Sequence, residues 1–367
     1  MINSLYVHIP FCQKKCNYCD FNSYTDLNLQ DSYIDTLLKE LNNINQNRFE
    51  TIFVGGGTPT TLSLKNLEKL LSQLNEFTAS EYTVECNPGT LTQDKLSLMK
   101  DYGVNRLSIG LQAWQDNLLH TLGRIHNLKD FLDNYARIRK YGFKNVNIDL
   151  MFGIPNQTFN DWTATINEVI KLSPEHISCY SLILEEGTNF YKMHKEGNLN
   201  LLDEDTEAEM YSYAINLLNK NDYEHYEISN FSKPGYECKH NLTYWQDEEY
   251  YGVGAGAHSY INNIRYSNYK GIDEYIINSK TESPIEIKNT LNLNDEMSEF
   301  MFMGLRLTKG IEKRRFEKRF GVDIYKVYQN EIKDLINNKL LIDDGINLKL
   351  TFRGIEISNT VFIKFLR

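Results

Sequence analysis

Three of the chain's six cysteines stand in one short run, His8-Ile9-Pro10-Phe11-Cys12-Gln13-Lys14-Lys15-Cys16-Asn17-Tyr18-Cys19. The spacing is C-x3-C-x2-C. On one tight loop, Cys12, Cys16 and Cys19 can hold three corners of an iron–sulfur cube. Simple clusters take four cysteines, so three leave one iron open to a small molecule. Zinc is the rival metal, because it too takes thiolates. A structural zinc site would show a second paired C-x2-C, whereas Cys86, Cys179 and Cys238 are scattered. Any of those three could still donate a fourth ligand.

Other residues could serve a ligand beside the cysteines. Gly55-Gly56-Gly57-Thr58-Pro59-Thr60 is a loop whose glycines let backbone amides and carbonyls approach a bound molecule; a plain tight turn would look the same. Glu85 can bond an ammonium or a ribose hydroxyl, or simply be a solvated carboxylate. His240 stands beside Tyr244 and Trp245. A histidine among aromatics is more often a satisfied structural residue than a ligand. Cys238 is a weaker thiolate candidate, and His258, in a Gly/Ala-rich turn, reads as structural.

The elements that must position these residues alternate. Short apolar, β-branched or aromatic runs predict strands at Leu5–Ile9, Thr51–Val54, Tyr82–Cys86, Arg106–Ile109, Val146–Leu150 and His176–Tyr180. Between them, Tyr33, Ile34, Leu37, Leu38 and Leu41 mark one helical face, and Leu64, Leu67, Leu70, Leu71 and Leu74 another. Six successive βα units imply a parallel sheet; periodicity leaves a barrel and a doubly wound open sheet both standing. The cysteines, the glycine loop, Asn87-Pro88-Gly89, Gln112 and Asp149 fall at or just after successive strands, the ends where α/β folds carry their sites. A looser middle region follows, from about Leu184 to Ser283, with Pro284 as a boundary. In the tail, Met297, Phe300, Met301 and Gly304 have helical spacing, and Leu340–Ile342, Asp344-Gly345 and Ile346–Phe352 read as a hairpin. Residues 1–183, 184–283 and 284–367 are the expected units.

Composition narrows the function. The 367 residues allow about two domains and carry a net charge of −10, which argues against nucleic-acid binding. No apolar run approaches a membrane span, and Met1–Phe11 lacks the pattern of a signal peptide. A cytosolic location with reduced thiols is expected.

The cysteine spacing, Tyr18 before the last cysteine and the strand-end placement resemble the radical-SAM superfamily. That resemblance implies an α/β fold: a partial (βα)6 barrel, here followed by a small α+β winged-helix-like domain. It implies a [4Fe–4S] cluster on Cys12, Cys16 and Cys19, with the amino and carboxylate groups of S-adenosylmethionine on the open iron. It also implies contacts to that cofactor from Tyr6, from Gly55, Gly56, Gly57 and Thr58, and from Glu85, Gln112, Arg124 and Asp149. Arg124 suits the methionyl carboxylate, because its planar fork matches that geometry; Gln112 and Asp149 suit ribose hydroxyls.

Tyr6-Val7-His8-Ile9-Pro10-Phe11-Cys12, Gly55–Thr60 and Leu111-Gln112 are further similar to the coproporphyrinogen-oxidase-like group. Two subtypes compete there: an oxygen-independent coproporphyrinogen III dehydrogenase and a haem chaperone of the HemW type. The dehydrogenase pattern has a further cysteine where this chain has Phe21, and a longer segment ahead of the cluster motif. His240-Asn241-Leu242-Thr243-Tyr244-Trp245 matches the H-N-x-x-Y-W signature of the chaperone type, and Gly252–Ser259 is also similar to it. The resemblance implies haem as ligand, with His240 a candidate axial ligand, and an acceptor haemoprotein, membrane respiratory proteins among the candidates. A homodimer and a peripheral seat at the membrane are open expectations. The run Lys313-Arg314-Arg315 with Lys318-Arg319 reads as a solvated helix face, or else as a docking patch.

Overall fold

The computed structural model describes residues 2–281 and 283–367. Six strands, β1 (Ser4–Ile9), β2 (Thr51–Gly56), β3 (Glu81–Cys86), β4 (Arg106–Gln112), β5 (Val146–Phe152) and β6 (His176–Ser181), lie parallel and side by side in chain order. Each begins within one residue of the position its apolar run predicts. The crossovers carry α1 (Gln30–Asn42), α2 (Leu64–Leu74), α3 (Gln93–Asp101), α4 (Asp116–Thr121), α5 (Leu128–Lys140) and α6 (Phe159–Leu172). Local chemistry starts these helices: Ser63 and Thr92 cap α2 and α3, and Asn127/Asp130 and Thr158/Asp161 form capping boxes. On α2, Leu67, Leu70, Leu71 and Leu74 are fully buried in the main core.

The strand order decides between the two candidate architectures. A doubly wound sheet reverses its order at a switch point; this one does not. Because βαβ crossovers share one hand, sequential order puts every helix on one face and curls the sheet around the other.

The middle region is not loose. Beyond α7 (Asn189–Lys195) and α8 (Glu204–Asn219), β7 (Glu224–Glu227) and β8 (Asn230–Ser232) extend the β6 edge antiparallel. After α9 (Lys239–Trp245), β9 (Tyr250–Val253) adds parallel to β1, and β10 (His258–Ile261), β11 (Ile264–Asn268) and β12 (Ile285–Thr290) complete a 12-stranded sheet. Helix α10 (Ile272–Thr281) packs on α1. The sheet therefore runs past Pro284, one strand beyond the expected boundary. These strands are short; Ile264-Arg265-Tyr266-Ser267 in β11 and Ile285-Glu286-Ile287-Lys288 in β12 do alternate, whereas β7, β8 and β10 carry no such pattern.

A second core, built on Met301, Phe316, Ile332, Leu348 and Phe365, follows. It joins α11 (Leu293–Gly304), α12 (Lys313–Phe320), α13 (Ile324–Asn337), α14 (Phe352–Glu356) and α15 (Ser358–Ile363) to a sheet of β13 (Ile311–Glu312), β14 (Leu341–Asp343) and β15 (Asn347–Leu350). The predicted hairpin is the β14–β15 pair.

The basic run on α12 is divided: Arg314 and Lys318 are exposed, as on a solvated helix face, while Lys313, Arg315 and Arg319 are engaged. Lys313 pairs with Asp343 at 2.7 Å. Arg315 donates to the Gln246 carbonyl at 3.0 Å, and Arg319 reaches the Asp247 carbonyl and carboxylate, both at 2.8 Å. The Asp247 side chain is 1% exposed. Burial pushes its carboxyl up to about 7, against the pull of Arg319. Arg306 lies 4.5 Å over the Trp245 ring. The run thus clamps the small domain onto the end of α9. Removing one partner of a buried ion pair costs about 3–5 kcal/mol. Asp247 keeps Arg265 at 3.6 Å, so Arg319→Ala should lower stability by less, about 1–3 kcal/mol, and speed amide hydrogen exchange in residues 245–250; unchanged exchange there would show that the clamp does not hold the seam.

Candidate functional site

The carboxyl ends of the parallel strands and the loops after them enclose one cavity of about 340 Å3. Cys12, Cys16, Cys19, Gly56, Gly57, Thr58, Glu85, Gln112, Arg124 and Asp149 all line it. Segments more than a hundred residues apart in sequence are brought to one face by the curl of the sheet.

The cysteine loop is tied down at both ends. Cys12 N–H donates to the Tyr24 carbonyl at 2.9 Å, and Tyr24 N–H to that of Pro10 at 2.7 Å. The glycine loop holds it from beside: Gly57 N–H donates to Ile9 at 2.9 Å and Thr58 N–H to Phe11 at 2.8 Å. Gly56 has φ +110°, a conformation that favours glycine. At Gly57 a Cβ would lie 2.8 Å from the Phe11 carbonyl oxygen and 3.1 Å from Cys12 Sγ, so a side chain there would enter the thiol cradle.

Burial pushes the Cys12 thiol up, and the Cys19 thiol up to about 11. A strong positive charge beside Cys12 and Cys19 would oppose that rise and favour their thiolates. Among the described residues no three His, Cys, Asp or Glu side chains close around a single ion position. Arg124 stands beside them, with Nη1 3.6 Å from Cys16 Sγ and 3.5 Å from the Tyr18 hydroxyl, and Nη2 donating to the Gly110 carbonyl at 3.0 Å. Its Nε is buried without a partner. This orphaned donor in the cavity wall fits an arriving carboxylate.

Two acids face the same space. Glu85 accepts the Gly56 N–H at 3.1 Å. Burial, reinforced by the nearby Asp149 charge, pushes its carboxyl from the usual 4.5 up to about 8. Asp149 accepts from Ser108 at 3.2 Å and from Asn147 at 2.7 Å; burial raises its carboxyl as well. Gln112 has φ 73°, strained for a residue with a side chain, and its Oε1 accepts from Tyr180 at 2.6 Å.

Three expected site residues stand elsewhere. The Tyr6 hydroxyl lies 2.9 Å from His8 Nδ1, and its ring neighbours Phe53 and His240 inside the barrel; it does not line the cavity. Gly55 sits behind Glu85, where a Cβ would lie 2.8 Å from Oε2, so it makes room for the carboxylate rather than for a ligand. His240 is 1% exposed at the opposite, amino end of the strands. There Nδ1 lies 2.8 Å from Thr51 Oγ1 and Nε2 2.8 Å from the Tyr244 hydroxyl, and the ring stacks on Phe53 at 5.0 Å. Both ring nitrogens are taken, so this conformation offers none to haem iron. The amides of Lys239 and His240 donate to Glu81 at 3.0 and 3.1 Å, seating α9 as a plug in the barrel floor. Cys238 is fully buried, its thiol pushed up to about 12, and is likewise closed off.

Sequence reasoning missed Tyr180, Ser181 and Ser108, which also line the cavity, as does Tyr18 of the cysteine motif. The first two were findable, since they close the sixth strand. Ser108, Gly110 and Gln112 share one face of β4 by the period of two.

His240→Ala would remove two buried hydrogen bonds and a stacked ring, costing about 2–4 kcal/mol. The variant's melting temperature should fall; an unchanged melting temperature would mean that His240 does not hold the barrel floor. Between pH 4.5 and 8 the folded chain holds a proton on Glu85 that the unfolded chain has lost. Glu85 therefore contributes a loss of stability as pH rises through that window, against the buried histidines, which contribute with the opposite sign at its acid end. Chemical denaturation across pH should show this slope reduced in Glu85→Gln; an identical slope would mean that Glu85 is not the group responsible.

Residues 6–169 match the radical SAM superfamily, and residues 291–357 match the HemN C-terminal domain. The chain is 41% identical to the heme chaperone HemW of Lactococcus lactis, over 99% of this chain and 97% of that protein. It is 40% identical to the heme chaperone HemW of Bacillus subtilis, over 100% and 99%. The solved structure of coproporphyrinogen III oxidase (HemN) from Escherichia coli shares the fold, with a TM-score of 0.85 at 22% identity, covering 99% of this chain and 90% of that one. With full-length identity at this level, the chain belongs to the HemW family of the radical SAM superfamily.

Proposed function

We propose that this chain is a haem chaperone: it binds haem and passes it to an acceptor haemoprotein. The observation that carries the reading is the identity of 41% over nearly the whole chain to a heme chaperone HemW. The likeness to the coproporphyrinogen III oxidase is a likeness of fold at 22% identity, and the dehydrogenase reading draws no further support from it. Phe21, where the dehydrogenase pattern has its extra cysteine, points the same way.

Cys12, Cys16 and Cys19 would hold the [4Fe–4S] cluster, which supplies an open iron to the amino and carboxylate groups of S-adenosylmethionine. Arg124 would take the methionyl carboxylate through the orphaned side of its guanidinium. Glu85 would meet the ammonium, whose charge would draw its carboxyl back down from about 8. Asp149 and Gln112 would bond ribose hydroxyls. The reading extends to acceptors among membrane respiratory proteins, to a cytoplasmic location with a peripheral seat at the membrane, and to a homodimer. No helix among the described residues is long and apolar enough to cross a membrane.

Anaerobically reconstituted protein should carry about four irons per chain on thiolate ligation, bind haem, and pass it to an apo-haemoprotein. It should form no protoporphyrinogen IX from coproporphyrinogen III. Turnover of coproporphyrinogen III with release of 5′-deoxyadenosine and carbon dioxide would overturn the chaperone reading.

A further inference from the structure

Beneath the cavity the barrel interior is polar. By the period of two, Asn147 shares a face of β5 with Asp149, and His176 shares a face of β6 with Ser178 and Tyr180. Asn147 pairs in register with Ser108 on one side and His176 on the other. Asn147 and His176 are buried. Their contacts run in one unbroken line. The Tyr226 hydroxyl lies 2.8 Å from His176 Nε2, His176 Nδ1 lies 2.6 Å from Asn147 Oδ1, and Asn147 Nδ2 lies 2.7 Å from Asp149 Oδ1. Tyr226 belongs to β7 and reaches His176 across β8. The C-terminal domain pins this stretch: Thr308 N–H donates to the Tyr226 carbonyl and Ile228 N–H to the Arg306 carbonyl, both at 3.1 Å.

The direction of each bond in the line is fixed. Asn147 Nδ2 donates to Asp149 and also to Ser108 Oγ at 2.7 Å, while Oδ1 takes the Ser178 hydroxyl at 3.2 Å. A flipped amide would set its oxygen against the Asp149 carboxylate. Oδ1 therefore faces His176, and His176 Nδ1 carries the proton between them. Burial, with the Arg106 charge behind it, holds His176 neutral, so Nε2 is bare and accepts the Tyr226 O–H. The Tyr226 oxygen in turn accepts the Cys238 N–H at 3.3 Å. Every donor in the line points toward Asp149. Burial raises the Asp149 carboxyl, and the bonds it accepts oppose that rise. Asn147 and Ser108 fill two of the carboxylate's roughly four acceptor sites. The others are left for a ligand in the cavity that Asp149 lines.

We propose that His176, its tautomer set by Tyr226, is a positioning residue for the cofactor: through Asn147 it holds the Asp149 carboxylate turned toward the ribose. The proposal rests on the reading of Asp149 as a ribose contact. It adds two residues that stand off the cavity wall and touch no ligand. Without the proton on Nδ1, nothing but Ser178 would keep the Asn147 oxygen on its side, and the amide would be free to turn that oxygen on Asp149.

The test uses cluster-loaded full-length protein. Binding of S-adenosylmethionine and of its 2′,3′-dideoxyribose analogue is measured by equilibrium dialysis. The unaltered protein should prefer the ribose form by about tenfold or more, the worth of a charge-assisted hydrogen bond. Asp149→Asn should lose most of that preference. His176→Leu should lower it by about threefold or more, since a misaimed group forfeits most of its bond. His176→Asn, whose amide can still donate from the Nδ1 position, should keep it. A purely structural defect would weaken both ligands alike. An unchanged preference in His176→Leu, or equal losses in His176→Leu and His176→Asn, would therefore overturn the proposal. A second measurement needs no variant to bind: in protein labelled with [15N]histidine, the His176 ring, identified by the signal the variants lose, should carry its proton on Nδ1. A proton on Nε2 would overturn the proposal. No ribose preference in the unaltered protein, or full preference in Asp149→Asn, would instead bring down the ribose reading of Asp149, and the proposal with it.

Discussion

The cysteine loop has little regular structure of its own and is held by backbone bonds from its neighbours. Two amides of the glycine loop, Gly57 and Thr58, bond the carbonyls of Ile9 and Phe11 on either side of Pro10, and Tyr24 closes the far side. This attachment between the ends of β1 and β2 sets where the three thiols stand. It also explains the glycines: Gly56 needs its positive φ, and any side chain at Gly57 would enter the cradle. Arg124 and the acids are placed relative to that loop by β3, β4 and β5, which pair in sequential register from β2 onward.

The two ends of the barrel are chemically distinct. At the carboxyl end, polar groups face a cavity with bonds left to make: the Arg124 Nε has no partner and the Glu85 carboxyl is held near neutrality by its surroundings. At the amino end the polar groups satisfy one another. Glu81 takes two amides of α9, while Thr51 and Tyr244 engage the two ring nitrogens of His240. An open donor set suits binding and a closed one suits stability. The C-terminal domain reinforces the closed end, where Arg306, Arg315 and Arg319 meet the last turn of α9 and the loop after it.

Much of this was legible in the chain. The six parallel strands and the helices between them follow from local apolar periodicity, which burial on one face imposes on each segment separately. The cluster cysteines follow from spacing, because three ligands within a few residues share a site under any fold. The small domain's hairpin follows from Asp344-Gly345 between apolar runs. These features depend on residues near one another in sequence, so sequence carries them.

What only the tertiary structure decided depends on distant pairings. Sequential strand order made the sheet a partial barrel rather than a doubly wound one, a choice that local periodicity does not encode. The short strands β7–β10 acquire their structure by pairing at the edges of an existing sheet, and their own residues carry little signal. His240 among aromatics reads more readily as a core residue than as a ligand, and residue type alone does not decide. Its partners, Thr51 and the floor beneath Phe53, lie nearly two hundred residues away, and only folding shows that both its nitrogens are already bound. The arginines of α12 likewise read as solvated until the fold brings the buried Asp247 to them. Residue type and spacing determined what chemistry the chain carries; the burial and pairing of distant segments decided which of those groups remain free to perform it.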